Sequence, residues 1–114
     1  MRFFGLTIDL KDDAEVIERY KAYHRAVWPE VLEDGRNKGI LRVRIFLLRR
    51  RLFMYLETTD DYDLNQALVP RSDDDLRRKQ WDELMRSMQM PVPEAKPGEW
   101  WAAMELVHET DNPA

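Results

Sequence analysis

No cysteine occurs in the chain. Disulfides, thiolate metal sites and cysteine nucleophiles are therefore excluded, and the composition fits a reducing compartment. Histidine is scarce, with only His24 and His108, and the carboxylates stand mostly in solvated-looking runs, so a built metal cage is not expected. The four glycines form neither a G-x-G-x-x-G nor a Walker pattern, and H-E-x-x-H and G-x-S-x-G are missing too. No run approaches the ~20 apolar residues of a membrane span. Acidic residues outnumber basic ones, 22 against 18, for a formal net charge of −4. That balance speaks against a nucleic-acid or anionic-membrane binder. The expectation is a cytoplasmic protein whose activity is simple acid/base chemistry or binding.

What is present is a folded composition, 44% hydrophobic and 35% charged over 114 residues, the size of one domain spanning 1–114. The opening "MRFFGLTIDLKDD" turns acidic and lacks the apolar core and cleavage site of a signal peptide. Its residues 2–10 place Phe4, Leu6, Ile8 and Leu10 on one face of a strand and Phe3, Thr7 and Asp9 on the other. Val16, Ile17, Tyr20, His24, Val27 and Val31 then recur at helical spacing. Pro29 predicts a kink or restart at Trp28, and the helix is expected to end near Gly35 or Gly39.

Residues 40–48 and 51–59 both alternate and predict an antiparallel hairpin. Arg49-Arg50 lacks the glycine or asparagine of a tight primed turn, so a wider loop is expected. Leu41, Val43, Ile45, Leu47, Leu52, Met54 and Leu56 make a helix-facing side. Phe46, Phe53 and Tyr55 share the opposite side with Arg42, Arg44 and Glu57. A short helix is expected over 59–69. A longer one over 72–90 is capped by Ser72 and Asp75, with Leu76, Trp81, Leu84, Met85 and Met88 as its stripe and Gln80 on the same side. "MPVPEAKPGE" reads as a surface loop and "EWWAAMELVHE" as a final strand.

The order β, α, β, β, short α, α, β fits a ferredoxin-like α+β plan, an antiparallel sheet with helices on one face. Phe3, Phe46, Phe53 and Tyr55 make the other face too apolar to stand open, which predicts a second subunit and a homodimer.

The segment "YKAYHRAVWPEV" puts Tyr20, His24 and Trp28 four residues apart on one helix face. Spacing alone leaves two readings open. His24 is a core histidine bonded to a backbone carbonyl with Tyr20 packing at its edge, or it is a general acid/base. Gln80 and Trp81 are similarly open, a core tryptophan with a half-exposed amide, or a sugar platform that gives a flat apolar surface for ring CH groups beside a hydroxyl partner. Arg42, Arg44 and His108 read as solvated side chains.

The chain resembles the L-rhamnose mutarotase family in Tyr20, His24, Trp28, Pro29 and Glu30, whose spacing is that of the family's Y-x-x-x-H-x-x-x-W-P-E segment. It is similar also in "RLFMYLE", "KQWDELM" and "PGEWWAAMELVHE". The resemblance implies a dimeric α/β barrel, cofactor-free, that interconverts the α and β anomers of a 6-deoxy-L-hexose. The family's catalytic tyrosine and histidine map onto Tyr20 and His24. Its aromatic wall maps onto residues 80 and 81, where Gln80 replaces one of two tryptophans. That single-tryptophan helix and the "AKPGE" segment resemble L-fucose mutarotases, so the sugar is L-rhamnose or L-fucose. Two rival readings are a cofactor-free monooxygenase-like or haem-handling barrel and a non-catalytic metabolite-binding module.

Overall fold

The computed structural model describes residues 1–64 and 76–113. The short helix expected over 59–69 runs into the remaining residues and, with the cap expected from Ser72 and Asp75, lies outside the described ones. Strand β1 is Arg2–Leu10, and its alternation buries Leu6, Ile8 and Leu10 almost completely. Helix α1, Ala14–Arg25, begins where the Asp13 carboxylate accepts from the Glu15 and Val16 amides, satisfying donors that have no partner within the helix. Trp28 takes an extended ψ of 135° ahead of Pro29, as the proline ring demands. Helix α2, Pro29–Asn37, then restarts with the proline at its first position.

Gly39 follows with φ +95° and passes beneath Thr59, whose amide donates to its carbonyl at 2.9 Å. A Cβ there would collide with Thr59 Oγ1. Strands β2 (Ile40–Leu48) and β3 (Arg51–Thr58) form the expected hairpin, with a register shift between Ile40 and Arg42 that takes Leu41 out of the ladder. The connecting loop is tighter than the residue types predict, because Leu48 pairs directly with Arg51 and Arg49 takes φ +58°. Tertiary bonds hold it: the Arg50 carbonyl accepts from Leu10 N at 2.7 Å and Arg50 Nε donates to Leu10 O at 2.9 Å.

Helix α3, Leu76–Met88, leads into β4, Gln89–Met90, a two-residue strand in a segment expected to be helix end and loop. The final strand is also shorter than expected. Strand β5 is Ala102–Ala103 alone, because β1 has one free edge and β4 and β5 divide it between them. The sheet runs β2-β3-β1-β4, all antiparallel, with β5 also on β1. This is the ferredoxin-like order, and among the described residues the three helices cover its inner face. No helix among them is long and apolar enough to cross a membrane.

Ile8, Leu10 and Leu52 from the sheet pack with Tyr20, Val31, Trp81, Met85 and Met88 from the helices. A second cluster joins Leu6, Met54, Leu56 and Tyr62. Each fully buried aliphatic side chain contributes about 1.5–3 kcal/mol. On the outer face Phe46 and Phe53 stack with centroids 6.1 Å apart, and Phe3, Phe46 and Phe53 are all exposed. The inner face is incompletely covered at the edge strand: Val43 is 46% exposed although its neighbour Leu56 is buried. That gap is the mouth of a cavity.

Candidate active site

The cavity has a volume of about 570 Å³ and lies between the inner face of β2 and β3 and the three helices, within the range of small-molecule sites. Tyr20 and His24 reach it from α1, Trp81 and Met85 from α3, and Gln89, Trp100 and Trp101 from the chain that follows. Val43, Ile45 and Met54 form its apolar floor. Among the described residues no group of three or more histidine or carboxylate side chains is placed to hold a metal ion.

Tyr20 and His24 are one helical turn apart with their rings stacked, centroids 4.2 Å apart and planes at 28°. His24 Nδ1 lies 2.9 Å from the Tyr20 carbonyl oxygen. A carbonyl can only accept, so Nδ1 carries the proton and, in the neutral ring, Nε2 presents a lone pair. Burial disfavours the imidazolium and lowers the His24 pKa below 6.5, partly opposed by the carbonyl bond. The ring is therefore neutral at pH 7. Yet it stands in the last turn of α1, where the helix dipole and that carbonyl favour a transient positive charge.

Tyr20 is 3% exposed, and burial pushes its phenol up to about 12, moderated by the Gln89 hydrogen bond. It keeps its proton throughout the physiological range. Gln89 Nε2 donates to Tyr20 Oη at 3.3 Å, and Trp100 Nε1 donates to Gln89 Oε1 at 2.8 Å. A neutral imidazole with a free lone pair and a phenol that keeps its proton thus stand side by side on one helix. Such a pair can take a proton from one oxygen of a bound hydroxyl compound and give one to another.

Trp81 belongs to both the core and the cavity wall. It meets His24 edge-on at 5.6 Å and Trp28 at 5.1 Å. Trp28 and Gln80 lie outside the cavity lining. The Arg77 guanidinium caps the Trp28 ring at 3.8 Å and donates to Gln80 Oε1 at 3.2 Å. Gln80 is exposed and not on the stripe side expected for it, since adjacent helical residues point about 100° apart. Tyr20, His24 and Trp81 are therefore brought together, Trp28 packs behind Trp81, and Gln80 is linked to Trp28 through Arg77.

Gln89 and Trp100 escaped the sequence reading. Gln89 looked like a helix end before a proline loop, and Trp100 like a residue entering a core. The one available signal was a glutamine kept between methionines in an apolar stretch, where a buried amide needs partners.

Comparison with known proteins gives consistent results. A family model described as L-rhamnose mutarotase matches residues 3–110. A UPF0734 protein of Dictyostelium discoideum is 40% identical over 111 residues, covering 95% of this chain and 89% of that one. An L-fucose mutarotase of Xanthomonas campestris pv. campestris is 38% identical over 96 residues, covering 82% and 76%. The crystal structure of an L-rhamnose mutarotase from Formosa agariphila superposes with a TM-score of 0.70 at 18% identity, covering 97% of this chain and all of that one; at that identity it supports the fold alone.

Proposed function

The chain belongs to the L-rhamnose mutarotase family, and from that premise we propose that His24 and Tyr20 are the base and acid with which it interconverts sugar anomers in the cavity. The activity itself is that of a sugar mutarotase, acting on L-rhamnose or L-fucose, an isomerase of the carbohydrate epimerase type. We take L-fucose as the preferred substrate. An L-fucose mutarotase matches 82% of the chain, and Gln80 stands where the family's second tryptophan would be.

Mutarotation requires two proton transfers and no redox change. His24 Nε2 takes the proton of the anomeric O1 while the Tyr20 hydroxyl gives its proton to the ring oxygen. The C1–O5 bond breaks and C1 becomes an aldehyde. Rotation about C1–C2 presents the other carbonyl face, and the 5-hydroxyl attacks it. The 5-hydroxyl proton returns to Tyr20 and the His24 proton goes to O1, restoring both groups. A positioned acid/base contributes about 10² to 10⁴ in rate. The observation that carries this reading is the bond from His24 Nδ1 to the Tyr20 carbonyl, because it turns the free lone pair of Nε2 away from the helix beside a phenol that keeps its proton.

Trp81 holds the apolar face of the ring. Trp28 and Gln80 act on the sugar through Trp81, Trp28 as its buttress and Gln80 as the acceptor that keeps Arg77 over Trp28. The exposed aromatic face of the sheet is covered by a second copy, giving a homodimer, and the cysteine-free composition suits the cytoplasm. NMR magnetisation-transfer spectra of equilibrated L-fucose and of L-rhamnose, each with and without protein, test the function. Faster exchange between anomers is expected, greater for L-fucose. Line broadening without exchange for both sugars would leave a binding module instead.

A further inference from the structure

Gln89 is 4% exposed and stands on the wall of the cavity. A buried primary amide needs a partner at each end. Its two ends are often interchangeable, since oxygen and nitrogen have nearly the same shape. Here they are not, because the indole N–H of Trp100 can only donate. At 2.8 Å from the amide oxygen it fixes the oxygen on its own side and turns the NH₂ toward Tyr20 Oη, 3.3 Å away.

We propose that Gln89 and Trp100 are positioning residues that set the direction of the Tyr20 proton. The indole orients the amide, and the amide makes the phenol oxygen an acceptor on its protein side, leaving its O–H to donate into the cavity. This inference rests on Tyr20 being the proton donor of the reaction. The same N–H also faces the charge that develops on the phenol oxygen as its proton leaves, and a donor aimed there stabilises that charge. Among the described residues Gln89 is the protein hydrogen-bonding partner of Tyr20 Oη.

Both members are held by the surrounding chain. Gln89 pairs with Leu10 in the sheet. Next to Trp100, the Glu99 carboxylate accepts from the amides of Lys96 at 2.9 Å and Ala103 at 3.1 Å, clasping the segment at both ends. Gly98 supplies the φ of +84° that the intervening turn needs. The Arg86 guanidinium covers the Trp100 ring at 4.7 Å. The relay from Trp100 through Gln89 to Tyr20 is thus anchored on β1, α3 and the Glu99 clasp.

Gln89→Glu is the direct test, since it preserves shape and reverses polarity. The ionised carboxylate accepts from Trp100 and from Tyr20 alike, drawing the phenol proton away from the sugar. At neutral pH kcat is expected to fall about tenfold or more, with KM little changed. Protonating the introduced carboxyl restores a donor toward Tyr20, so the ratio of variant to parent kcat is expected to rise as pH is lowered. Among the charged and titratable groups around the cavity, Arg36, Arg42, Arg78, Asp82 and Arg86 are common to both proteins, whereas the introduced carboxylate favours the His24 imidazolium and so works against the expected rise, which makes a rise specific to the restored donor. Trp100→Phe frees the amide to turn and is expected to lower kcat by about 2- to 10-fold, the worth of one neutral hydrogen bond. Tyr20→Phe separates the two levels of the argument. If it is inactive while Gln89→Glu keeps parental kcat, or shows a ratio flat with pH, the positioning role is overturned and the catalytic reading stands. If Tyr20→Phe keeps parental kcat, both fall. Should Gln89→Glu fail to fold, an unchanged kcat in Trp100→Phe overturns the positioning role by itself.

Discussion

His24 and Tyr20 are joined twice over, by ring stacking at 4.2 Å and by the bond from His24 Nδ1 to the Tyr20 carbonyl at 2.9 Å. The first contact keeps the two rings together, and the second decides which imidazole nitrogen is left with its lone pair free. An i, i+4 relationship on one helix therefore supplies both the spacing and the tautomer that the proposed acid/base pair needs.

Tyr20→Phe keeps the stack and removes only the hydroxyl. Anomer exchange is expected to slow by about 10²-fold, with little change in KM. The Gln89 N–H then has no partner in a buried site, so unfolding stability measured in urea should fall by about 1–3 kcal/mol. Retained exchange at the parental rate would remove Tyr20 from the mechanism.

The pH dependence follows from the burial of His24. Its pKa is lowered below 6.5, and only the neutral ring accepts the O1 proton. The value of kcat/KM should be level near neutrality and decline as pH falls through that lowered pKa. Tyr20, pushed up to about 12, holds its proton across the same range and adds no limb there. An acid limb centred at or above 6.5 would mean that the titrating group is not this buried imidazole.

Trp81 packs in the core and, in the proposed mechanism, binds the sugar, and two substitutions separate these roles. Trp81→Ala should cost about 3–5 kcal/mol of stability, seen in thermal or urea unfolding. Trp28→Leu, which removes the buttress without touching the cavity, should raise KM while leaving kcat nearly unchanged. A change in kcat alone would place Trp28 in the chemistry.

Gly39→Ala tests the fold beneath the site. The residue would have to keep φ +95° and bring its Cβ against Thr59, a strain of about 1–3 kcal/mol. A matching drop in stability is expected, with an unchanged denaturant slope. A neutral outcome would show that the backbone relaxes there.

Local patterns were legible in the sequence and tertiary pairings were not. Alternation marked β1 and the hairpin, and Trp28-Pro29 marked the break between helices, because each depends on residues a few positions apart. The two-residue turn at Arg49-Arg50 was hidden because its stabilising partner is Leu10, on another strand. The length of β5 depends on how much of the β1 edge β4 leaves free, which no periodicity in "EWWAAMELVHE" can express. Side-chain type and spacing made Tyr20, His24 and Trp81 candidates, and the family resemblance chose between the readings they left open. Gln89 was not among them, because its two hydrogen-bond partners lie 69 residues back and 11 residues ahead. Gln80 was misplaced because nearness to Trp81 in sequence is not nearness on a helix face.

The most direct test is anomer exchange measured by NMR magnetisation transfer on L-fucose with the parent protein and with His24→Ala, alongside circular dichroism to establish that both are folded. The acid/base account predicts rapid exchange with the parent and a loss of about 10² to 10⁴ with the variant. Exchange at the parental rate from folded His24→Ala would contradict it.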